Sequence, residues 1–233
     1  MKKVILLIAL ATGVYVPSQS VFADPFLLQD DFESYSINTW PSPDWTAVWN
    51  ATDISTNKIT YDPTNSANQV LKLYGEQWWS ADARRYCLFP DDVYISAKIY
   101  NGSEPRTPGW GRGSIGLLGV RTLLNFYSDG TYTSWPGTSG TYQTEQWYDI
   151  NIHYLRNGTD LTMTILLDGI EVFDKSFEMN SQEAEATSHY LVLNGGSTVY
   201  FDDVTVTPVP TSVFLGSLGL GVAGWKLRRR KEL

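Results

Sequence analysis

The chain has 233 residues, of which 25 are acidic and 17 basic, giving a formal net charge of −8. Seven of the basic residues lie at the two ends, so residues 24–207 carry 24 acidic against ten basic side chains. That balance disfavours nucleic acid and anionic membrane surfaces, because both bind through basic patches. A single cysteine, Cys87, excludes an internal disulfide, and two histidines exclude a histidine-rich metal site.

The first 23 residues have the three parts of a secretory signal peptide. Lys2 and Lys3 form a basic start, residues 4–16 are apolar, and Val21-Phe22-Ala23 ends on a small residue. An uncleaved anchor is the alternative, but the apolar stretch is short and Pro17 follows it. We therefore expect export, with residues 1–23 removed.

Residues 24–207 alternate short β-rich runs with turn residues and show no sustained 3.6-residue apolar period. This pattern predicts an all-β sandwich or barrel. The predicted strands are 26–33, 45–50, 58–61, 69–74, 84–89, 93–100, 114–120, 122–127, 147–156, 161–168, 171–177, 189–194 and 198–207, with loops at 101–113 and 128–143. So many strands exceed a single sheet, and we expect two packed antiparallel sheets.

The clearest period-two alternation lies at 147–167, on either side of a turn at Asn157-Gly158. The motifs Trp147-Tyr148, Asn157-Gly158, Leu161-Thr162-Met163 and Asp168-Gly169 resemble a strand trio of concanavalin A-like and laminin-G-like jelly rolls. The stretches 30–35 and 200–206 resemble the first and last strands of such domains. The resemblance implies a two-sheet antiparallel jelly-roll sandwich over residues 24–207.

Carboxylates stand at both ends of this domain: Asp30, Asp31 and Glu33 near its start, and Asp202 and Asp203 near its end. Because the first and last strands of jelly rolls lie close together, we expect these acids to meet. Grouped carboxylates repel one another unless a cation joins them, and calcium binds oxygen ligands. The resemblance implies a structural calcium held by Glu33 and by Asp202 or Asp203, with Asp31 as a further ligand. The alternative is a set of solvated acids that end edge strands.

Residues 24–207 are rich in aromatic side chains, with eight tryptophans and 13 tyrosines. Sugar rings present apolar C–H faces, so sugar sites combine flat aromatic rings with hydrogen-bonding groups. Tryptophans in turn-rich segments and the mixed loops 101–112 and 128–143 are candidates for such a site. The candidate carbohydrate-binding residues are Trp78, Trp79, Trp110, Arg112, Tyr132 and Trp135. The alternative is that most of these rings fill the core of the sandwich.

The sequence lacks the motifs of several enzyme classes. It has neither the Glu-x-Asp-x-x-Glu strand of laminarinase-like glucanases nor a Gly-x-Ser-x-Gly elbow. Asn151-Ile152-His153 is the nearest approach to the Gln-Ile-His strand of alginate-lyase-like jelly rolls, with Asn in place of Gln. We therefore expect a lectin-like protein that binds extracellular polysaccharide. A jelly-roll polysaccharide lyase or glycoside hydrolase is the alternative, and a ligand-free structural surface protein is the second alternative.

The C-terminal residues 208–233 combine a proline-containing entry, the apolar run 213–225 and a cluster of five cations. As a helix, the run would rise about 20 Å, against a bilayer core of about 30 Å. The span is therefore marginal. Counted from Pro208 and with the flanking cations snorkelling, a short transmembrane helix over 213–227 comes close to the length that a membrane requires. A buried core helix is the alternative.

This layout resembles the PEP-CTERM sorting signal of exported bacterial proteins. The residues that carry the resemblance are Pro208, Pro210, Thr211, Arg228, Arg229 and Arg230, although the family's usual Glu is missing. The resemblance implies recognition by an exosortase, a membrane-embedded protease, and processing near Pro210. It also implies delivery to the cell envelope, cell surface or extracellular matrix of a bacterium.

Overall fold

Two antiparallel β-sheets pack face to face in the computed structural model, which describes residues 27–75, 80–104, 111–118, 121–134, 137–179 and 188–209. Within these ranges the chain forms fifteen strands and one short 3₁₀ turn, Asn50–Thr52. The predicted all-β sandwich of two antiparallel sheets is confirmed.

The strands follow the chain in the order β1 (Leu28–Asp30), β2 (Thr46–Trp49), β3 (Lys58–Tyr61), β4 (Gln69–Leu73), β5 (Ala81–Leu88), β6 (Asp92–Asn101), β7 (Gly111–Leu117), β8 (Arg121–Tyr127), β9 (Thr131–Ser134), β10 (Thr138–Thr141), β11 (Trp147–Asn157), β12 (Asp160–Leu167), β13 (Ile170–Glu178), β14 (Ser188–Gly195) and β15 (Val199–Pro208). Most bounds lie within one or two residues of the predicted ones.

In the described residues, one sheet has eight strands in the order β13-β12-β11-β6-β15-β4-β3, and β1 pairs with β15 beside this path. The other has seven strands in the order β10-β9-β8-β7-β14-β5-β2. The first and last strands are therefore direct neighbours, with Leu28 opposite Val206 and Asp30 opposite Val204. We refer below to the eight-stranded and the seven-stranded sheet.

The core lies between the two sheets and follows from the alternation of side chains along each strand. On β11, Ile150, Ile152 and Tyr154 are buried, while Asp149 and Asn151 are exposed. The inward residues of the seven-stranded sheet, among them Ala83, Ile115, Phe126, Leu191 and Leu193, face them across the core. Each large apolar side chain buried in this way contributes about 1.5–3 kcal/mol to stability.

Two predicted loops contain strands. The predicted loop 128–143 includes the hairpin of β9 and β10, and β7 begins at Gly111 inside the predicted loop 101–113. Glycine, serine and threonine dominate residues 128–143, and glycine and proline are frequent in 101–113. Because these residues are typical of turns, the pattern concealed strands that depend on cross-strand pairing. β5 begins at Ala81, three residues before the predicted start. All three differences enlarge the seven-stranded sheet.

Among the described residues there is no helix of the length and apolarity needed to cross a bilayer. The predicted signal peptide, 1–23, and the predicted membrane segment, 213–227, lie outside those residues. β15 ends at Pro208, one residue beyond the predicted end of the domain.

Candidate functional site

A line of polar side chains crosses the outer surface of the seven-stranded sheet. Each member is the Cα partner of the next one on the neighbouring strand, from β5 to β10. The members of this polar row are Asp82, Asn194, Ser114, Asn125, Thr133 and Ser139. Because alternate residues of a strand point to opposite faces, the row lies opposite the core, into which the neighbours Ala81, Ala83 and Leu193 project.

Asp82 is the charged end of the polar row and is only 3% exposed. Its Oδ2 accepts a hydrogen bond from the Arg84 NH2 group at 2.8 Å, and its Oδ1 accepts one from Nδ2 of Asn194. A carboxylate that is nearly buried is costly unless it is paired and hydrogen-bonded. Asp82 meets both conditions, so the three side chains hold one another in fixed positions.

Exposed aromatic rings lie on the same surface near Asp82, on the strands β2, β5 and β14. The guanidinium carbon of Arg84 stands 5.2 Å from the ring centroid of Trp49, which is 53% exposed. Further along β5, Tyr86 packs edge to face on Tyr190 of β14, with ring centroids 5.5 Å apart. Both tyrosines are exposed. The surface therefore combines hydrogen-bonding groups with flat apolar rings.

The central strand β7 keeps the middle of this surface low. Ser114 and Gly116 project outward from it, opposite Asn194 and Val192 of β14. The intervening Gly113 faces the core, where an added Cβ would stand 2.7 Å from Cγ2 of Val199. A glycine is thus required at position 113 on the inner side of β7, and small residues stand on its outer side, between the larger side chains of the neighbouring strands.

Two of the predicted carbohydrate-binding residues, Arg112 and Tyr132, lie in the described ranges, and both make structural contacts within the fold. Arg112 is 5% exposed, and its NH1 group donates to the carbonyl oxygens of Gly102 and Glu104 at 2.8 and 3.0 Å. Tyr132 lies against Phe126, with ring centroids 6.1 Å apart, and burial raises its pKa. Arg112 therefore fastens a neighbouring chain segment, and Tyr132 extends the core.

The predicted Trp78, Trp79, Trp110 and Trp135 lie outside the described residues. In chain order, however, their segments adjoin strands of the seven-stranded sheet. Residues 76–79 precede β5, residues 105–110 precede β7, and residues 135–136 separate β9 from β10.

A pocket of about 440 Å³ opens on the other side of the sandwich, at the outer surface of the eight-stranded sheet. It is lined by Asp62, Asn65, Asn68, Lys98, Trp147, Asp149, Asp202 and Asp203, and we call it the acidic pocket. Lys98 Nζ lies 2.6 Å from Oδ2 of Asp203, and this hydrogen bond raises the pKa of Lys98. The indole N–H of Trp147 donates to Asp62 at 3.1 Å.

Asp202 and Asp203 both reach the acidic pocket although they are consecutive in β15. A β-bulge at this point and a positive φ of 48° at Asp203 break the alternation of the strand. Asp202 is 5% exposed and accepts a hydrogen bond from Nδ2 of Asn68 at 2.9 Å. Burial raises the pKa of Asp202 to about 6.

Of the other predicted calcium ligands, Glu33 lies beside the acidic pocket. Oε1 of Glu33 accepts a hydrogen bond from the backbone N–H of Gln69 at 2.7 Å, next to Asn68. Asp31 is exposed and accepts one from the N–H of Glu33 at 3.2 Å. Within the described ranges no group of three or more His, Cys, Asp or Glu side chains is placed to hold a metal ion. The calcium site stays a prediction.

Asp30, expected to join the same group, points elsewhere. Its Oδ2 accepts hydrogen bonds from Arg85 NH1 at 2.7 Å, from the indole N–H of Trp45 at 2.7 Å and from the hydroxyl of Tyr35 at 2.9 Å. These three donors satisfy the buried carboxylate and tie β1 to β5, across the two sheets. The five acids near the two ends of the domain therefore do not form one group: Asp30 is bonded to Arg85, Trp45 and Tyr35, while Asp202 and Asp203 line the acidic pocket.

His153, the residue nearest to a lyase motif, lies on the outer surface of the eight-stranded sheet. Its Nε2 is 2.7 Å from Oδ1 of Asp92, and its ring stacks on Tyr94 with centroids 4.6 Å apart. His153 and the polar row therefore lie on opposite faces of the sandwich. The second histidine, His189, is buried against Phe89.

No protein-family model matches the chain, and no curated protein matches it. Among solved structures, the catalytic domain of a glycoside hydrolase family 131 protein from Coprinopsis cinerea is similar at 11% identity, with a TM-score of 0.55 over 79% of this chain and 95% of that one. A glycosyl hydrolase family protein from Mycobacterium fortuitum is similar at 13% identity, with a TM-score of 0.50 over 78% and 99%. The likeness is one of fold. It agrees with the predicted jelly-roll sandwich.

Proposed function

We propose that this protein binds polysaccharide on the outer surface of its seven-stranded sheet. The polar row carries the proposal, because it aligns polar side chains across six strands. Asp82 and Ser114 are nearly buried, so the amides and the other hydroxyls offer the accessible hydrogen-bonding groups. At about 4.8 Å between strands, the row is about 24 Å long. That length suits an extended chain of sugars, whose hydroxyl groups need donors and acceptors held in position.

The rigidity of the row's charged end supports binding. Asp82, Arg84 and Asn194 already hold one another, so little conformational freedom is lost when a ligand contacts them. The exposed rings of Trp49 and Tyr190 provide apolar surface for the C–H faces of sugars. The two similar folds belong to proteins named as glycoside hydrolases, which adds support for a carbohydrate ligand.

The alternative is a polysaccharide lyase or glycoside hydrolase that uses the same surface. Glycoside hydrolysis generally uses two carboxylates on either side of the scissile bond. Among the described strand residues on this surface, Asp82 is the single carboxylate, and Arg84 and Asn194 occupy it. This observation favours binding without cleavage. A ligand-free structural protein is the second alternative, which the outward-facing aromatic rings disfavour.

Binding can be tested by affinity electrophoresis of the full chain against a panel of neutral and acidic polysaccharides. We expect retardation by at least one of them and a clear loss of it in Asn194→Ala. The matched control is Asn151→Ala, which removes an exposed asparagine from the outer surface of the eight-stranded sheet. Failure of every polysaccharide to retard the protein would contradict the proposal. Release of reducing or unsaturated ends would establish the enzymatic alternative.

We also propose that the acidic pocket holds a structural calcium ion. Asp62, Asp202 and Asp203 line one pocket with Asn68, and the ion would draw their oxygens together, since no three of the described acids are already placed to hold one. Calcium prefers such hard oxygen ligands, and Glu33 lies next to this group through its bond to Gln69. Among the described residues that line the pocket, Lys98 is the single cation and four are aspartates. The ion would neutralise the carboxylates that Lys98 leaves uncompensated.

For the two ends of the chain we propose export and sorting to the bacterial envelope, surface or matrix. The N-terminal signal pattern, the apolar run and the arginine cluster support this address. β15 ends at Pro208, so the processing point proposed near Pro210 comes directly after the last strand. Mass spectrometry of the protein from an exosortase-containing bacterium would detect the cut. Replacement of Arg228, Arg229 and Arg230 by alanine is expected to abolish it, and a mature protein with an intact tail would contradict the proposal.

A further inference from the structure

We infer that Trp49 is the platform on which an uncharged sugar ring stacks, at the β2 edge of the polar row. The inference rests on the proposed function and specifies one subsite and the chemical class of its ligand.

Trp49 occupies a place in β2 whose side chain should point into the core. Along the strand, Ala47 packs against the core, so the period of two would bring Trp49 to the same side. Trp49 is nevertheless 53% exposed. Its φ of 56° and ψ of −130° turn the backbone out of the strand geometry, and its ring stands beside Arg84 on the outer surface.

This conformation is unfavourable for a residue with a side chain. A bulky residue at positive φ is a genuine outlier. Such strain costs on the order of 1–3 kcal/mol and persists only where the surroundings enforce it. Glycine would take the same conformation freely. Trp49 begins the 3₁₀ turn Asn50–Thr52, and at this strained position the chain carries an exposed tryptophan where glycine would fit.

The neighbouring charges position the ring without leaving a net charge beside it. The guanidinium group of Arg84 covers the ring at 5.2 Å and is bonded to Asp82 at 2.8 Å. Asn194 holds the other oxygen of that carboxylate. These contacts form a continuous link from the ring to the polar row, and Trp49 as a residue stays 53% exposed.

The charge balance selects the class of sugar. A uronate or sulfated sugar needs a cation with free donors, but the charge of Arg84 is already compensated by Asp82. Residues 24–207 carry 24 acidic and ten basic side chains, so a polyanion is repelled as it approaches. A neutral pyranose needs only an apolar face for the indole and hydroxyl groups for the row.

The test titrates the full chain with neutral oligosaccharides (cello-, laminari- and xylo-oligosaccharides) and with oligogalacturonate, by isothermal calorimetry. We expect a neutral oligosaccharide to bind more tightly than oligogalacturonate. Trp49→Ala should weaken this binding roughly tenfold or more, as truncation of an aromatic anchor does. Trp49→Phe should keep most of it, and Tyr94→Ala, an exposed aromatic on the other sheet, should leave it unchanged.

A structural role for Trp49 is separated from a binding role by Trp49→Gly, since glycine relieves the positive φ. We expect this variant to melt at or above the temperature of the wild type and to bind as weakly as Trp49→Ala. Wild-type affinity in both variants would overturn the inference and leave the proposed function standing. Preference for oligogalacturonate would overturn the neutral class. Absence of polysaccharide binding by the wild type would defeat the proposed function itself, together with the inference.

Discussion

The side-chain amide of Asn194 donates a hydrogen bond to the carboxylate of Asp82, across 112 positions of the chain. The two residues are register partners on β14 and β5. Arg84 completes the group from two positions along the same strand as Asp82. The charged end of the polar row is therefore both a tertiary contact and a part of the surface proposed to meet the ligand.

Asp82→Ala is expected to lower the free energy of unfolding by about 2–3 kcal/mol, because it leaves Arg84 and Asn194 without their shared acceptor. Urea denaturation followed by tryptophan fluorescence measures this change. The control Asp174→Ala removes an exposed carboxylate from the edge strand β13 and should change stability by less than about 0.5 kcal/mol. Equal effects of the two substitutions would show that the Asp82 group is not a stabilising centre.

Without calcium, the contribution of Asp202 to stability is expected to fall as the pH rises from about 4 to about 6. Burial raises the pKa of Asp202 from 3.8 to about 6. In that interval the folded state holds a proton that the unfolded state has lost, so stability is greatest below it and decreases through it. The full effect is at most about 3 kcal/mol.

The check is urea denaturation at pH 4 and pH 7, in chelator, of the wild type and Asp202→Asn. The difference between the two proteins should grow in favour of the variant at the higher pH. Asp160→Asn, an exposed change in β12, serves as the control. A pH-independent difference between wild type and Asp202→Asn would contradict the assignment.

Chelation of calcium is expected to lower the melting temperature by about 2–8 °C at neutral pH, if the ion contributes about 1–3 kcal/mol by linkage. The acidic pocket is the proposed site, so Asp202→Asn and Asn68→Ala should each remove most of this sensitivity. Differential scanning calorimetry with and without chelator measures the shift. Identical melting temperatures in the wild type would remove calcium from the proposal.

Neighbouring residues of β7 are expected to separate stability from binding. Gly113→Ala brings a methyl group within 2.7 Å of Val199 and 2.8 Å of Asn101, and should destabilise the fold by about 1–3 kcal/mol. Ser114→Ala changes the outer surface and should weaken polysaccharide binding with little effect on unfolding. Thermal melts and affinity electrophoresis on both variants test this contrast. The reverse pattern would place the ligand elsewhere.

The fold was accessible from the sequence where the pattern is local. The alternation along β11 and β12 predicted which residues are buried, because each strand is long and one face of it meets the core. The hairpin of β9 and β10 was not predicted from the sequence, because threonine, serine and glycine occur in turns as well as in short edge strands. Its pairing depends on β8, which no local pattern displays.

The candidate site was less accessible, since the polar row exists only through register. Asp82, Ser114 and Asn194 are single polar residues in three distant strands, and alternation alone marks each as merely exposed. Trp49 was hidden for the opposite reason, because its strand position predicts an inward side chain. The bulge at Asp202 likewise brings two consecutive carboxylates to one pocket, which a regular strand does not allow.

The position of β15 has a mechanical consequence. The strand lies inside the eight-stranded sheet, between β6 and β4, with β1 also paired to it. A pull on the C-terminus therefore loads the strand in shear against several neighbours at once, and cannot peel it bond by bond from an edge. If the chain is tethered at that end and the opposite sheet binds a polymer, as proposed above, tension passes into the sandwich through β15 and its neighbours.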